Sequence, residues 1–247
     1  MGRFRAWIAG NPPERGPKPL WRRILVFFVL WGAVLVAAFM ALSALLVFVF
    51  GWTGPPPTIT MVSRAAAGMD VRHTWTPLKD ISPHLVRAVI AAEDQRFCEH
   101  DGFDMVEIQK AIEAHEQGRT LRGASTISQQ TAKNVFLFQG GGFFRKGLEA
   151  WFTVLIERMW SKPRIMETYL NVAEWGDGLF GAEAAAQARF GVSAKNLTSR
   201  QAALMAAVLP SPNRWKIDGS YASRQAGKIQ ARMTMVRRDG LAACVVR

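Results

Sequence analysis

The sequence predicts a mainly α protein: a single N-terminal transmembrane helix followed by an outward-facing helical domain. Three observations predict this. No charged residue falls between Ile24 and Phe50, helix caps and three-to-four apolar spacings recur from Ser82 onward, and strand signals are sparse.

The apolar run FFVLWGAVLVAAFMALSALLVFVF exceeds the roughly 20 residues that a spanning helix needs. It is also longer than the apolar region of a cleaved signal peptide, about 7–15 residues, and it ends in Gly51-Trp52 with no small-residue cleavage site. Before it lie Arg3, Arg5, Arg15, Lys18, Arg22 and Arg23 against one acid, Glu14, so the positive-inside rule assigns residues 1–23 to the cytoplasm as a basic tail. Residues 24–50 form the membrane helix. Trp21 and Trp52 suit the interfaces, whereas Trp31 falls inside the apolar layer. GWTGPPPT, residues 51–58, reads as a stiff Pro-rich connector to a domain over 59–247.

Within that domain, TITMVSR, Thr58 to Arg64, is the best strand candidate, with WTPL near Trp75 second. Ser82-Pro83 is a helix start followed by Leu85, Val86, Val89 and Ile90. Thr126-x-x-Gln129 and Thr198-x-x-Gln201 match capping boxes. Leu148, Trp151, Phe152, Leu155, Ile156 and Met159 form an apolar stripe, Ser161-Lys162-Pro163 opens a further helix, and Gly191 stops another.

Net charge is +12, from 31 Lys and Arg against 19 Asp and Glu, which suits an anionic partner without choosing among nucleic acid, anionic lipid and a phosphorylated substrate. The two cysteines, Cys98 and Cys244, are too few for a disulfide framework, and the sequence does not say whether they meet. Four His without H-E-x-x-H or C-x-x-C, and an acidic DGFDMVE without EF-hand spacing, argue against a dedicated zinc or calcium site. An oxygen-bound divalent cation such as magnesium, near Glu93 or Glu149 and a substrate phosphate, stays open.

AAEDQRFCEHDGFD places five acids and one His behind the helix that starts at Ser82. Glu93 lies three, four and seven residues after Ile90, Val89 and Val86, on or beside the apolar face. A carboxylate there is desolvated, which raises its pKa toward the range useful for proton transfer; the competing readings are a paired structural acid and a helix that ends before Glu93. Asp94 and His100 stand ready to orient Glu93 or to bind a cation. GASTISQQTAKN opens a helix whose N-terminal N–H groups can receive an anion and whose Gln129, Gln130, Lys133 and Asn134 are polar. Arg145 and Lys146 precede Glu149 by four and three residues, the spacing of an exposed salt bridge or of cations that receive a pyrophosphate.

These segments together resemble the family 51 glycosyltransferases, in monofunctional form. The pattern E-D-x-x-F-x-x-H-x-G is matched by Glu93, Asp94, Phe97, His100 and Gly102, and G-x-S-T-I-x-Q-Q-x-x-K-N by Gly123 through Asn134. R-K-x-x-E is matched by Arg145, Lys146 and Glu149, and K-x-x-I-x-E-x-Y-L-N by Lys162, Ile165, Glu167, Tyr169, Leu170 and Asn171. Met166 stands where Leu is common.

The resemblance implies a bilobal, lysozyme-like catalytic domain over 59–247 in the bacterial inner membrane, facing the periplasm or cell exterior. It implies polymerisation of lipid II into β-1,4-linked glycan strands by an inverting mechanism, with release of undecaprenyl diphosphate. Glu93 would be the general base and Asp94 and His100 its supports. Glu149 would assist the leaving group, alone or through a divalent ion. Lys133, Arg145 and Lys146 would neutralise the phosphates, and Ser125, Thr126, Gln129, Gln130 and Asn134 would shape the sugar and diphosphate sites. Implied partners are lipid II, the growing strand, membrane lipid and other cell-wall synthesis proteins; no nucleic-acid-binding motif is present.

Three alternatives compete with this reading. A lytic lysozyme-like enzyme would not require the cations around Glu149, and a non-catalytic cell-wall scaffold would not need to retain Glu93 and Lys133. A bifunctional penicillin-binding protein would need S-x-x-K and K-T-G, which the chain lacks.

Overall fold

The computed structural model describes residues 19–118 and 125–246; most of the basic tail and the Gly123-Ala124 entry to the second motif lie outside them. The protein is mainly helical, as the sequence implies. Its chain divides into two compact units, one up to Leu46 and one from Val47 onward. Helix α1, Leu20–Thr53, is long and apolar enough to cross a membrane and extends past the charge-free run at both ends. The connector is correspondingly shorter than 51–58, since Gly51, Trp52 and Thr53 are helical.

TITMVSR is not a strand. It forms α2, Ile59–Ala66, because Thr58 caps it: the Thr58 hydroxyl accepts from the Met61 N–H at 3.3 Å, and only Thr60 and Met61 are buried. WTPL is not a strand either. The two short strands are β1, Arg72–His73, and β2, Leu179–Phe180, paired in parallel with Arg72 opposite Leu179.

Nine helices of the second unit are described: α2, then α3 (Pro83–Glu93), α4 (Met105–Glu116), α5 (Ile127–Phe136), α6 (Phe143–Met159), α7 (Lys162–Val172), α8 (Ala182–Phe190), α9 (Ser199–Val208) and α10 (Ser220–Arg238). The local signals act where the sequence has them. Ser82 caps α3, Thr126 and Thr198 complete capping boxes with Gln129 and Gln201, Ser161 caps α7, and Gly191 ends α8 in the left-handed conformation.

The densest helix packing falls into two groups, α3 with α9 and α10, and α5 with α6 and α7. The first is held by small side chains: Ala88, Ala202, Ala203, Ala206, Ala222 and Ala226 are nearly fully buried, which lets the helix backbones approach closely. The second is held by larger groups, including Phe136 stacked on Phe152 at 4.4 Å between centroids. The K-x-x-I-x-E-x-Y-L-N segment fastens the stretch before α3 onto α7. Asn171 Oδ1 accepts from the Thr76 N–H at 2.7 Å, its Nδ2 donates to Thr76 O at 2.9 Å, and Glu167 accepts from the Leu78 N–H at 2.7 Å.

Candidate active site

Glu93 is the last residue of α3, and the helix therefore does not end short of it. Gln130 Nε2, from the second turn of α5, donates to Glu93 Oε2 at 2.9 Å. The Gln130 amide is oriented from behind: the Tyr169 hydroxyl on α7 donates to Gln130 Oε1 at 3.4 Å. Tyr169 is only 1 % exposed, and burial holds its phenol well above the usual pKa, so it stays a donor. Burial likewise raises the Glu93 pKa above the usual carboxylate value. The Gln130 hydrogen bond opposes that rise, Asp94 adds to it, and Lys133 opposes it.

Asp94 is buried and has partners of its own. Its Oδ1 and Oδ2 lie 3.0 and 3.2 Å from His100 Nε2, and Oδ2 accepts from the Ile127 N–H at 2.9 Å. The Gly102 N–H donates to His100 Nδ1 at 3.1 Å, so Nδ1 is the acceptor and Nε2 carries the proton given to Asp94. Gly102 itself is fixed by sterics: its φ is +93°, and an added Cβ would fall 2.7 Å from Thr153 Cγ2. The rest of the acidic cluster is also structural in part. Asp104 caps α4 by accepting from the Val106 and Glu107 N–H groups, and Arg96 pairs with Glu99.

The expected anion site at the start of α5 is already occupied by protein groups. Asp94 takes the Ile127 N–H, the Thr126 hydroxyl takes the Gln129 N–H at 3.1 Å, and Gln129 Oε1 takes the Thr126 N–H at 3.0 Å. Thr126 and Gln129 thus build the helix cap, and Thr126 also donates to Gly102 O at 2.7 Å. Ser125 is exposed at the rim, and Asn134 is half-buried.

Lys133, one turn beyond Gln130 on α5, is half-buried and has no ion pair or hydrogen bond among the described residues. Burial lowers its pKa; Glu149 opposes that fall, Arg145 and Lys146 add to it, and Glu93 opposes it. Glu149 is 3 % exposed, with Arg145 Nη1 at 2.9 Å from Oε2 and Lys146 Nζ on Oε1. The pattern R-K-x-x-E is therefore a cationic pair clamped on one buried carboxylate, and the exposed-salt-bridge reading does not apply to Glu149. Lys133 is electrostatically linked to both carboxylates.

Protein donors do not build a divalent-cation site here. Both Glu149 oxygens hold cations, Asp94 is committed to His100 and Ile127, and no cluster of three metal-ligating side chains occurs among the described residues.

Behind this layer, Lys162 Nζ reaches Glu157 Oε1 at 2.9 Å and His100 O at 2.5 Å, and lies 4.6 Å from the Phe97 ring centroid; Ser128 donates to the same Glu157. Sequence reasoning places Lys162 and Tyr169 in a motif without a role and passes over Glu157. Their partners are 5 to 62 residues away, and no local spacing announces most of them. The disulfide Cys98–Cys244 closes the question left open by the sequence and ties the Asp94–Gly102 loop to the turn after α10.

A cavity of about 590 Å³ opens beside Glu93. Its walls include Arg96, Asp104 and Lys110 from the loop and α4, and Arg232 and Met235 from α10.

The transglycosylase family profile matches residues 60–239. A biosynthetic peptidoglycan transglycosylase of Caulobacter vibrioides is 54% identical over 217 residues, covering 86% of this chain and 95% of its own. Those of Rhodospirillum centenum and Pseudomonas aeruginosa are 51% and 46% identical, over 87% and 90% of this chain and 94% and 96% of theirs. The profile spans Glu93, Lys133 and Glu149 together with every helix that positions them, and the chain belongs to the transglycosylase family.

Proposed function

We propose that the protein is a membrane-anchored, monofunctional peptidoglycan glycosyltransferase that polymerises lipid II into β-1,4-linked glycan strands and releases undecaprenyl diphosphate. The observation that carries this reading is a buried carboxylate, Glu93, held by Gln130 on the helix that also carries Lys133, together with the Arg145 and Lys146 pair clamped on buried Glu149. Cleavage of a neutral glycosidic bond needs an acid but no such cationic group.

Gln130 occupies Glu93 Oε2, which leaves Oε1 to take the proton from the acceptor sugar's 4-hydroxyl. As that proton moves, the hydroxyl oxygen forms its bond to the donor C1 on the face opposite the diphosphate. The C1–O bond breaks, and its electron pair departs with the diphosphate. Lys133, Arg145 and Lys146 stabilise the charge that develops there, and Glu149 holds the latter two in place. Asp94, fixed by His100 and by the start of α5, locks the loop that follows Glu93.

Helix α1 would confine this site to the leaflet that holds a lipid-linked substrate, with the basic tail in the cytoplasm and the catalytic domain outside the bacterial inner membrane. The test is conversion of lipid II by purified full-length protein. Wild type yields strands, and Glu93→Gln yields none while remaining folded by circular dichroism. Strand growth by Glu93→Gln at the normal rate removes the base assignment, and fragmentation of finished glycan by wild type would establish a lytic enzyme instead.

A further inference from the structure

Helix α10 presents one face that the chemistry above does not use. Tyr221, Arg224, Lys228, Arg232 and Met235 recur every three or four residues and so share a side of the helix. The buried stripe, Ala222, Ala226, Ile229, Met233 and Val236, runs alongside it, which places this face at the seam between α10 and the rest of the domain. Arg232 and Met235 form part of the wall of the cavity that contains Glu93. At the other end, about 16 Å away at 1.5 Å per residue, Tyr221 packs against Trp215 with ring centroids 4.0 Å apart and the ring planes tilted by 32°.

Arg224, Lys228 and Arg232 are exposed and have no ion pair or hydrogen bond among the described residues. On the facing wall, Arg96 and Lys110 are already paired with Glu99 and Glu107. The face thus combines a row of free cations, an aromatic pair suited to the flat face of a sugar ring, and a direct opening onto the proposed base.

The geometry points to α10 as a track for the elongating glycan strand, in which Arg224, Lys228 and Arg232 hold the carboxylates of its peptide stems and Trp215 with Tyr221 supports a sugar beyond the cavity. The proposal takes from the polymerase reading only the identity of the strand. A membrane surface fits this face less well. Bulky apolar side chains that would enter lipid are exposed elsewhere in the domain, at Ile59, Val62, Phe138, Phe143 and Phe144, whereas the α10 face exposes cations.

Full-length Glu93→Gln protein in detergent, which leaves its ligand intact, is titrated with soluble glycan oligomers whose peptide stems are either present or removed by an amidase. Stem-bearing oligomers should bind more tightly, with an affinity that falls as salt rises. Arg224→Glu with Lys228→Glu should weaken that binding roughly tenfold, as expected from reversing two exposed charge contacts, and leave stem-free binding unchanged. Equal affinity before and after charge reversal would overturn the track, as would indifference to stem removal. Loss of sedimentation with phosphatidylglycerol vesicles at unchanged strand affinity would assign the face to the membrane instead. A wild-type protein that bound stem-bearing strands through these residues yet made none from lipid II would refute the polymerase reading and leave the track standing.

Discussion

Replacing Tyr169 by Phe removes one oxygen that lies two hydrogen bonds from the proposed proton acceptor. In the native protein the phenol donates to Gln130 Oε1 and thereby directs the Gln130 NH₂ group at Glu93. Without it the amide can turn, and in the turned orientation a carbonyl oxygen faces a carboxylate. At 3.4 Å the phenol bond is long, so its net worth falls in the lower part of the usual range, about 0.5–1 kcal/mol. The Gln130 hydrogen bond lowers the Glu93 pKa, so weakening it moves that pKa further up. A base is active when deprotonated, so the acid limb of kcat/KM for lipid II consumption should move to higher pH, with kcat reduced about two- to fivefold, the rate equivalent of about 0.5–1 kcal/mol, and KM little changed. The assay is a pH–rate profile of wild type and variant, accompanied by thermal melting to show that both are folded. An acid limb that stays in place or moves to lower pH in a folded variant would refute the relay. A loss of KM alone would place Tyr169 in substrate binding.

The same burial makes Glu93→Gln a stability test. Between the unfolded and the raised folded pKa the native state binds more protons than the unfolded state, so stability falls as pH rises through that window, and the ionised carboxylate is a cost at neutral pH. Calorimetry should therefore show an unchanged or higher Tm for Glu93→Gln at neutral pH, with the difference shrinking on acidification; a lower Tm at neutral pH would contradict the desolvation account. Reducing the disulfide, or replacing Cys98 and Cys244 by Ser, frees a loop closed across 146 positions, and the chain-entropy relation gives a loss of about 5 kcal/mol at most. Urea midpoints under oxidising and reducing conditions measure it, and coincident midpoints would refute it. Gly102→Ala should cost about 1–3 kcal/mol from the positive φ alone, with more from the collision with Thr153, and should lower activity by displacing His100. Wild-type stability and rate in this variant would show that the loop can relax.

What was legible in the sequence was whatever a few neighbouring residues determine. Capping boxes at Thr126 and Thr198, the Ser82-Pro83 start and the Gly191 stop all act within one turn of the chain, and each is found where its spacing puts it. TITMVSR misleads because Thr, Ile and Val carry strand preference, while the deciding contacts are the Thr58 cap and the packing of α2 on α5. At the site, helical spacing singles out Glu93, and the charge pattern singles out Arg145, Lys146 and Glu149. What spacing does not convey is how polar side chains are shared. Thr126 and Gln129 serve the cap, whereas Gln130 serves the carboxylate, and that division depends on Tyr169, 39 residues further on. Nothing local distinguishes two adjacent glutamines.

The contact between Asp94 and the Ile127 N–H joins the last turn of one helix to the first turn of another. Helix α3 ends at Glu93 with its partially negative pole, and α5 begins at Ile127 with its partially positive one. Glu93 is the side chain attached to the negative pole, where burial already raises its pKa, and Asp94 is the one that reaches the positive pole by accepting from the Ile127 N–H. Two neighbouring acids on a single backbone are thus divided by the scaffold, one tied into the frame that joins the two helices and one set at the cavity with its pKa raised, which suits it to the proposed role of proton acceptor.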